Sequence, residues 1–572
     1  MKEREVYWMA NKILIVGGVA GGASAAARLR RLDETAEIIM FERGSYISFA
    51  NCGLPYYIGG EIQSRQDLLL QTPESFKRRF NVDVRVLNEV TQIYPDKKQI
   101  SVKNLDTGNT YTESYDKLIL SPGAEPVRPP IPGLNSERIF TLRNVPDTDL
   151  INDYIEKHKS KRAVIVGAGY IGLEMAENLR QRGMLVAIVE MADQVLPVLD
   201  KEMTACIQQE LHKHNVALWL NDAVVRFQPS DSRLMVGLKS GMELSCDIAI
   251  LAMGVRPEAE LARRAKLEIG TTGGIRVNKQ LQTSNPDIYA IGDAIEVRDF
   301  TLDNPVLVPL AGPANKQGRM VADNICGGNR QYNGTQGTSI LKVFDLTVAM
   351  TGASEKALAK TGIEYEKLYI HPANHVSYYP GAEQMHIKLL FSKPEGKVLG
   401  AQIIGSDGVD RRIDVFAVAI RAGLTVFDLQ ELELAYAPPY GSGKDAVNMA
   451  GFAASNILEG TVEAAHWNQL DKNDFILDVR SAGEFRRGHV SSAVHIPVDE
   501  IRGRLDELPN NTVINVYCAT GVRSYIACRI LMQNGFNARN VSGGYVTYCA
   551  DQNKEITDHP TARQLKEEFC LI

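Results

Sequence analysis

Two isolated cysteines in this 572-residue chain lie in surroundings that suit sulfur chemistry. Cys52 belongs to the sequence SFANCG, residues 48–53, with no second cysteine nearby to form an internal disulfide. Cys518 begins the sequence CATGVRS, residues 518–524. The thiolate is the reactive form of cysteine. We therefore expect Cys52 to exchange with an external thiol, and Cys518 to carry out a second sulfur reaction.

The composition narrows the class of protein. The eight cysteines are scattered without paired spacing, which argues against a secreted disulfide framework. The net charge of -6 provides no basic field for nucleic acid. No apolar run approaches the roughly 20 residues that a membrane-spanning helix needs. We expect a cytoplasmic protein with small-molecule partners, no nucleic-acid or membrane partner and no metal, and assign no role to residues 1–8.

The first glycine-rich turn predicts a dinucleotide site. The apolar run ILIV predicts a strand, GGVAGG predicts a tight turn, and the following Ala- and Arg-rich stretch predicts a helix to about Arg31. Glycines let the backbone approach a pyrophosphate at a helix N-terminus. Glu42 ends the next predicted strand, where a carboxylate can hold a ribose hydroxyl. Val19 replaces the usual middle glycine. The candidate binding residues are Gly17, Gly18, Ala20, Gly21, Gly22 and Glu42.

A second glycine-rich turn follows the strand AVIV, residues 163–166. Its sequence GAGYIG matches the G-x-G-x-x-G pattern completely. Glu190 ends the next predicted strand, and its carboxylate would bind a free 2'-hydroxyl and repel a 2'-phosphate. NADH is therefore favoured, and NADPH stays an alternative. The candidate residues are Gly167, Gly169, Tyr170, Ile171, Gly172 and Glu190.

These two units, together with LILSPGA at 118–124 and IYAIGD at 288–293, resemble the FAD-dependent pyridine-nucleotide-disulfide reductases over about residues 11–455. The resemblance implies FAD and NADH as cofactors. It further implies that Ser121 and Gly123 lie where the chain crosses between the cofactor domains, and that Asp293 binds the ribityl chain of FAD.

The sequence around Cys52 resembles two subgroups of this family that lack the Cys-x4-Cys pair. NADH peroxidases and oxidases use the cysteine as a sulfenic acid, whereas coenzyme A-disulfide reductases hold coenzyme A (CoA) on it as a mixed disulfide. Ala20 stands in the region where peroxidase-like members carry a histidine, which favours the CoA reductases. The resemblance then implies CoA contacts from Ser24, Arg28, Arg31, Ser48, Asn51 and Lys444.

Residues of about 333–458 resemble the dimerisation domain of the family, which implies a homodimer with each active site completed by the other subunit. Tyr378 and Tyr436 match tyrosines that reach that site, where a hydroxyl could protonate or hydrogen-bond a departing CoA thiolate. Tyr379 and Tyr440 are rival candidates. The non-catalytic alternative is a pair of half-buried interface aromatics.

Residues of about 465–565 resemble a rhodanese domain. The strand VINVY, residues 513–517, leads into the Cys518 loop. The resemblance implies that successive N–H groups of this loop form an anion nest, which lowers the thiol pKa and holds a persulfide. Arg523 would fix the loop and add positive charge.

The predicted fold class is α/β, with two Rossmann-like domains for FAD and NAD(P)H, an α+β dimerisation domain and a C-terminal α/β rhodanese domain. The expected function is NADH-dependent reduction of CoA persulfide or polysulfide through a Cys52–CoA mixed disulfide, with Cys518 relaying sulfur. CoA-disulfide reductase is the close alternative. NADH peroxidase or oxidase, and a redox or sulfide sensor, remain open. The expected boundaries are 9–145 and 266–332 for the FAD domain, 146–265 for the NAD(P)H domain, 333–458 for dimerisation and 465–565 for rhodanese.

Overall fold

The computed structural model describes residues 11–230 and 232–552, together with Lys566, Phe569 and Cys570. Residues 1–8, to which no role was assigned, lie outside this part. The chain folds as two compact units. The first contains the described residues up to Val189 and the range Ala223–Gly337. The second contains Glu190–Asp222 and the described residues from Thr338 onward.

A five-stranded parallel sheet forms the centre of the first unit and carries the first glycine turn. Its central strand is Lys12–Val16, in which Ile13, Leu14 and Ile15 are completely buried, as expected for a sheet covered on both faces. The helix Ala20–Leu32 ends within one residue of the sequence prediction and packs on the helix Ala311–Ile325. The strand order is Ile288–Ala290, Lys117–Leu120, Lys12–Val16, Glu37–Glu42 and Asp83–Val86.

A second parallel sheet carries the second glycine turn. The turn connects the strand Arg162–Val166 to the helix Tyr170–Gln181. Within the first unit the strands of this sheet follow the order Leu185–Val189, Arg162–Val166, Ile248–Leu251 and Ile139–Thr141. Two antiparallel sheets extend the unit, built from Asn88–Tyr94, Gln99–Asn104 and Thr110–Ser114, and from Val224–Pro229, Leu234–Leu238 and Glu243–Cys246. Further helices are Leu54–Gly59, Pro73–Phe80, Val145–His158 and Glu260–Arg264.

The second unit contains a five-stranded antiparallel sheet followed by helices, as the α+β prediction required. The strand order is Ser339–Val343, Leu346–Gly352, Val398–Gly405, His386–Ser392 and Tyr365–Ile370. The helices that follow or flank this sheet are Glu355–Leu358, Val409–Ala422, Val426–Glu431 and Ala446–Leu458. The range Glu190–Asp222 adds the helix Lys201–Lys213 and the strand Val216–Trp219.

The C-terminal part of the second unit is a parallel sheet with its own buried core. Its strand order is Glu463–Ala465, Ala538–Val541, Ile514–Tyr517, Phe475–Asp478 and Val494–His495, and its helices are Ala482–Arg487, Val522–Gln533 and Gly544–Gln552. The strand Ile514–Tyr517 is fully buried and ends directly before Cys518. The predicted α/β class is therefore confirmed for this part as well.

Polar contacts join this C-terminal part to the antiparallel sheet of the same unit. The Tyr369 N–H donates to Ser542 Oγ at 2.9 Å, and a ring nitrogen of His371 lies 3.0 Å from Thr547 Oγ1. None of the helices in the described ranges has both the length and the apolar character that a membrane crossing requires.

Candidate functional site

The first glycine turn is shaped for close backbone packing. Gly17 has φ +97°, and a Cβ on it would lie 2.0 Å from the Ser121 carbonyl oxygen. A Cβ on Gly22 would lie 1.9 Å from the Gly17 carbonyl oxygen, so only glycine fits at either position. The Gly18 N–H donates to the Glu42 carboxylate at 2.9 Å. A hydrogen bond thus connects the glycine turn directly to Glu42 at the end of its strand.

A cavity of about 470 Å³ brings this turn together with Cys52. The sequence-predicted residues that line the cavity are Gly17, Ala20, Gly21, Ser24, Glu42, Ser48, Asn51, Cys52, Ser121, Gly123 and Asp293. The other two predicted glycines, Gly18 and Gly22, belong to the same glycine turn. Glycine backbone, a carboxylate at a strand end and a second buried carboxylate are the groups that fit FAD. The turn would hold its pyrophosphate, Glu42 its ribose and Asp293 its ribityl chain. When bound, FAD supplies two-electron transfer between a nicotinamide and a disulfide.

Cys52 is exposed in the turn Asn51–Gly53, directly before the helix Leu54–Gly59. The thiol itself is partly buried, which raises its pKa, and the carboxylates of Glu174 and Asp293 raise it further. Burial of a charge and nearby negative charges both disfavour a thiolate.

Glu174 is a candidate functional residue that the sequence reasoning missed. It lies on the helix Tyr170–Gln181, and burial raises its pKa to about 7, with a further rise from Glu177. Its carboxylate accepts a long 3.5 Å hydrogen bond from the Tyr56 hydroxyl. Because a group that titrates near neutrality can exchange protons during turnover, Glu174 can change the charge near Cys52. The available signal was an acidic residue on the helix after a dinucleotide turn.

Asn51 pairs with a residue that the sequence did not single out. With its amide oriented to satisfy both groups, Asn51 donates to the Arg143 carbonyl and accepts from the Arg143 guanidinium, each at 2.9 Å. Arg143 also lines the Cys52 cavity. Asn51 therefore positions the cavity wall through Arg143, in addition to its expected place near CoA.

A second cavity of about 370 Å³ contains most of the residues expected to bind CoA. Arg28 and Arg31 lie three residues apart on one helix face, and Arg28 forms an ion pair with Asp323 at 2.7 Å. Ser24 and Ser48 line both this cavity and the Cys52 cavity. The sequence reasoning missed its other polar and aromatic lining residues, which are Gln71, Phe76, Phe80, Asn315 and Arg319. Three arginines suit a polyphosphate.

The remaining CoA candidate and the tyrosines lie in the second unit. Lys444 is exposed shortly before the helix Ala446–Leu458. The hydroxyls of Tyr378 and Tyr436 lie 3.0 Å apart and share a hydrogen bond, which raises the pKa of Tyr378. Tyr379 instead packs edge-on against His375. The roles of Tyr378 and Tyr436, and of their rivals Tyr379 and Tyr440, stay predictions.

The second glycine turn repeats the geometry of the first. Gly167 has φ +106°, and a Cβ on Gly172 would lie 2.1 Å from the Gly167 carbonyl oxygen. Tyr170 and Ile171 begin the helix that follows Gly169. Glu190 comes directly after the strand Leu185–Val189, and its carboxylate accepts the Ala192 N–H at 2.9 Å. The turn fits the pyrophosphate of a nicotinamide dinucleotide.

The Cys518 loop directs hydrogen-bond donors at sulfur. Cys518 is buried, and its Sγ accepts the Gly521 N–H at 3.1 Å. The Ser524 hydroxyl, which was not singled out from the sequence, lies 3.5 Å from the same sulfur. Gly521 adopts φ +106°, which turns the loop into the helix Val522–Gln533. Such a loop stabilises negative charge on a thiolate or persulfide.

Arg523 is held by a carboxylate that lies 39 positions away in the sequence. Its guanidinium donates to both oxygens of Glu484, at 2.8 and 2.6 Å. The guanidinium lowers the pKa of Glu484 to about 2. The ion pair is therefore complete above the ordinary pKa of a glutamate and is lost only as the pH falls towards 2. Glu484 is therefore the residue that fixes the position of the Arg523 guanidinium.

We expect Glu484→Gln to slow sulfur transfer from thiosulfate to cyanide roughly 10- to 100-fold, because Arg523 would lose its position beside the loop. The thermal unfolding temperature should change little, since the pair is partly exposed. The matched control is Glu507→Gln, which removes an ion pair of similar length, 2.7 Å against 2.6 Å, with the partly exposed Arg504. An unchanged transfer rate in Glu484→Gln would contradict this role.

Two acidic clusters among the described residues have donor sets that could hold a cation. In the first, the Lys388 ammonium contacts Asp200 at 2.8 Å, Glu355 at 2.7 Å and also Glu202. Lys388 is completely buried, so its charge occupies the position that a metal ion would need. The second cluster, Glu210, His214 and Asp345, is contacted by Lys213. None of the eight cysteines, all of which lie among the described residues, forms a disulfide.

Three family models match successive parts of the chain. The pyridine nucleotide-disulphide oxidoreductase model matches residues 11–318, its dimerisation domain matches 338–446, and the rhodanese-like domain matches 463–551. The dimerisation domain indicates a homodimer.

Curated and solved proteins are similar to most or nearly all of the chain. Coenzyme A disulfide reductase of Staphylococcus haemolyticus is 38% identical over 78% of this chain and 100% of its own length. The solved structure of reduced Bacillus anthracis CoADR-RHD is 52% identical, with a TM-score of 0.94 over 96% of this chain and 99% of that one. The NAD-dependent persulfide reductase from A. fulgidus is 36% identical, with a TM-score of 0.89 over 94% of this chain and 100% of that one. This chain belongs to the pyridine nucleotide-disulphide oxidoreductase family and continues into a C-terminal rhodanese-like domain.

Proposed function

We propose that this protein is an NADH-dependent reductase of sulfane sulfur carried by CoA, and that Cys52 forms a mixed disulfide with CoA. One observation carries the proposal: Ser24 and Ser48 line both the Cys52 cavity and the arginine-lined cavity. A pantetheine arm can therefore lead from the arginines to the thiol. Similarity to a CoA disulfide reductase and to a persulfide reductase supports this choice.

Cys52 performs the bond exchange in this proposal. Two-electron reduction of the disulfide between Cys52 and CoA releases both as thiolates. The Cys52 thiolate then attacks the CoA-bound sulfur of a CoA persulfide and expels hydrosulfide. The mixed disulfide is restored, so each turnover consumes two electrons and one persulfide bond.

Cys518 supplies the persulfide in this scheme. Its thiolate attacks a sulfane sulfur of polysulfide or thiosulfate, which breaks the S–S bond and releases a shortened polysulfide or sulfite. The Gly521 N–H stabilises the charged Cys518 persulfide. A CoA thiolate then attacks the outer sulfur of the Cys518 persulfide. This step produces CoA persulfide and returns the Cys518 thiolate.

CoA-disulfide reductase is the second candidate, because CoA disulfide presents the same kind of S–S bond to Cys52 and the curated relative carries that name. Ala20 lines the cavity in the region where the peroxidase alternative requires a histidine.

Glu190 supports NADH over NADPH. We further propose that the domains have the boundaries predicted from the sequence. We also propose that the protein is cytoplasmic, because none of its eight cysteines, each of which the structure describes, forms a disulfide.

The decisive experiment begins with intact-mass spectrometry of the untreated protein. We expect a mass increase of one CoA, located on the Cys52 peptide and released by a reductant. Purified protein should then oxidise NADH with CoA persulfide faster than with CoA disulfide. Faster turnover with CoA disulfide would support the second candidate, and rapid turnover with peroxide or oxygen without CoA would contradict both. Negligible NADH turnover with every acceptor would favour a sensor.

A further inference from the structure

Two loop segments of the second unit hold an exposed tyrosine pair in contact. Residues 371–385 carry Tyr378, residues 432–445 carry Tyr436, and neither segment contains a helix or a strand of more than an isolated bridge. Tyr378 is 73% exposed and Tyr436 is 49% exposed, yet their hydroxyls lie 3.0 Å apart. Exposed side chains on irregular segments lose considerable entropy in such a contact. The backbone of both segments must therefore be held in place.

Arg411 holds the segment that carries Tyr436. It lies in the first turn of the helix Val409–Ala422. Its guanidinium donates to the Ala435 carbonyl at 2.7 Å and to the Tyr440 carbonyl at 2.9 Å. These two acceptors lie on either side of Tyr436. The stretch between them includes two prolines, which have no N–H and cannot fix it by their own backbone donors.

The neighbouring Arg412 has a different position and a different effect. It is buried, forms an ion pair with Asp445 at 2.8 Å and donates to the Asn374 carbonyl at 2.8 Å. The bases of the two segments are also joined by the Val376 N–H, which donates to the Gly441 carbonyl at 3.0 Å. Arg412 thus holds the buried ends of the two segments together. Arg411 is about one-third exposed and also lies 3.5 Å from Asp445, but unlike Arg412 it donates to two carbonyls of the Tyr436 segment.

We infer that Arg411 is a positioning residue that holds the Tyr436 hydroxyl against Tyr378 for protonation of the departing CoA thiolate. This inference rests on the proposed function and on the tyrosine role that the family resemblance implies. The chemistry requires arginine, because its planar guanidinium presents several N–H groups in a fixed fork and can bridge two carbonyls. A lysine ammonium directs its three N–H groups from a single nitrogen and lacks the planar fork, so we expect it to hold the two carbonyls less precisely.

The test compares Arg411→Lys and Arg411→Gln with wild type, using full-length protein and CoA disulfide as the probe substrate. We expect kcat to fall about 10- to 100-fold, since a small displacement of a reacting group has effects of this size. The KM for CoA disulfide and the rate of flavin reduction by NADH should remain near wild type. The control is Arg421→Lys in the last turn of the same helix, which should leave all rates unchanged.

A double variant separates positioning from a general effect on the fold. If Arg411 acts through Tyr436, then Arg411→Lys combined with Tyr436→Phe should be no slower than Tyr436→Phe alone. Multiplying losses, or wild-type turnover in Arg411→Lys beside a slow Tyr436→Phe, would overturn the inference and leave the proposed function standing. Wild-type turnover in Tyr436→Phe would refute the tyrosine role itself. Misfolding of both Arg411 variants would make the residue structural and overturn the inference.

Discussion

Cys52→Ser should abolish reduction of both CoA persulfide and CoA disulfide, with a loss of at least about 10³-fold in kcat, as expected when a covalent nucleophile is removed. A serine hydroxyl cannot form a mixed disulfide, so the substrate sulfur would have no covalent acceptor. The measurement is NADH oxidation under saturating substrate. Intact-mass spectrometry of the same variant should show no bound CoA.

The flavin serves as the internal control for this variant. Cys52 lies on the cavity wall and is exposed, so its replacement by serine should leave flavin content and flavin reduction by NADH intact. Cys326→Ser, at a half-buried thiol of the same unit, should keep full activity. Loss of flavin in Cys52→Ser would indicate a structural cysteine, and persistent reduction would refute the mixed disulfide.

Cys518→Ala should remove sulfur transfer from thiosulfate and should strongly lower NADH oxidation driven by polysulfide. The physical reason is that the Gly521 N–H would have no sulfur to stabilise and no persulfide could form on the chain. Reduction of CoA persulfide added directly should continue at the wild-type rate, because Cys52 performs that reaction. The measurement compares the three substrates on one preparation.

The control for Cys518→Ala is Cys549→Ser, which changes a half-buried thiol of the same domain. It should retain all three activities. If polysulfide turnover were unchanged in Cys518→Ala, the two sulfur reactions would be independent and the relay would be wrong. If reduction of added CoA persulfide also failed, Cys518 would have a role in the reductive reaction that the scheme does not include.

Local patterns predicted the elements around both glycine turns well. The glycines after Val16 and Val166 predicted strand, turn and helix, and the helices begin at Ala20 and Tyr170. This succeeded because a positive φ and the close approach of a helix to its preceding turn are properties of adjacent residues. The boundaries and the roles of individual site residues stay predictions.

Other features could not be obtained from local patterns. Glu484 contacts Arg523 across 39 positions, and Arg28 contacts Asp323 across 295. Asn51 is paired with Arg143, and the Cys52 thiol pKa is raised by Glu174 on another helix. Each of these depends on the packing of separate elements, which periodicity and spacing do not specify.

The amino-acid sequence by itself determined the class of fold, the two dinucleotide turns and the presence of two unpaired thiols, because these features depend on residues close together in the chain. Only the tertiary structure decided that the serines at 24 and 48 line both cavities, that Tyr378 is paired with Tyr436, and that Arg411 holds this pair. Such contacts form between distant segments, and their distances follow from how the sheets and helices pack.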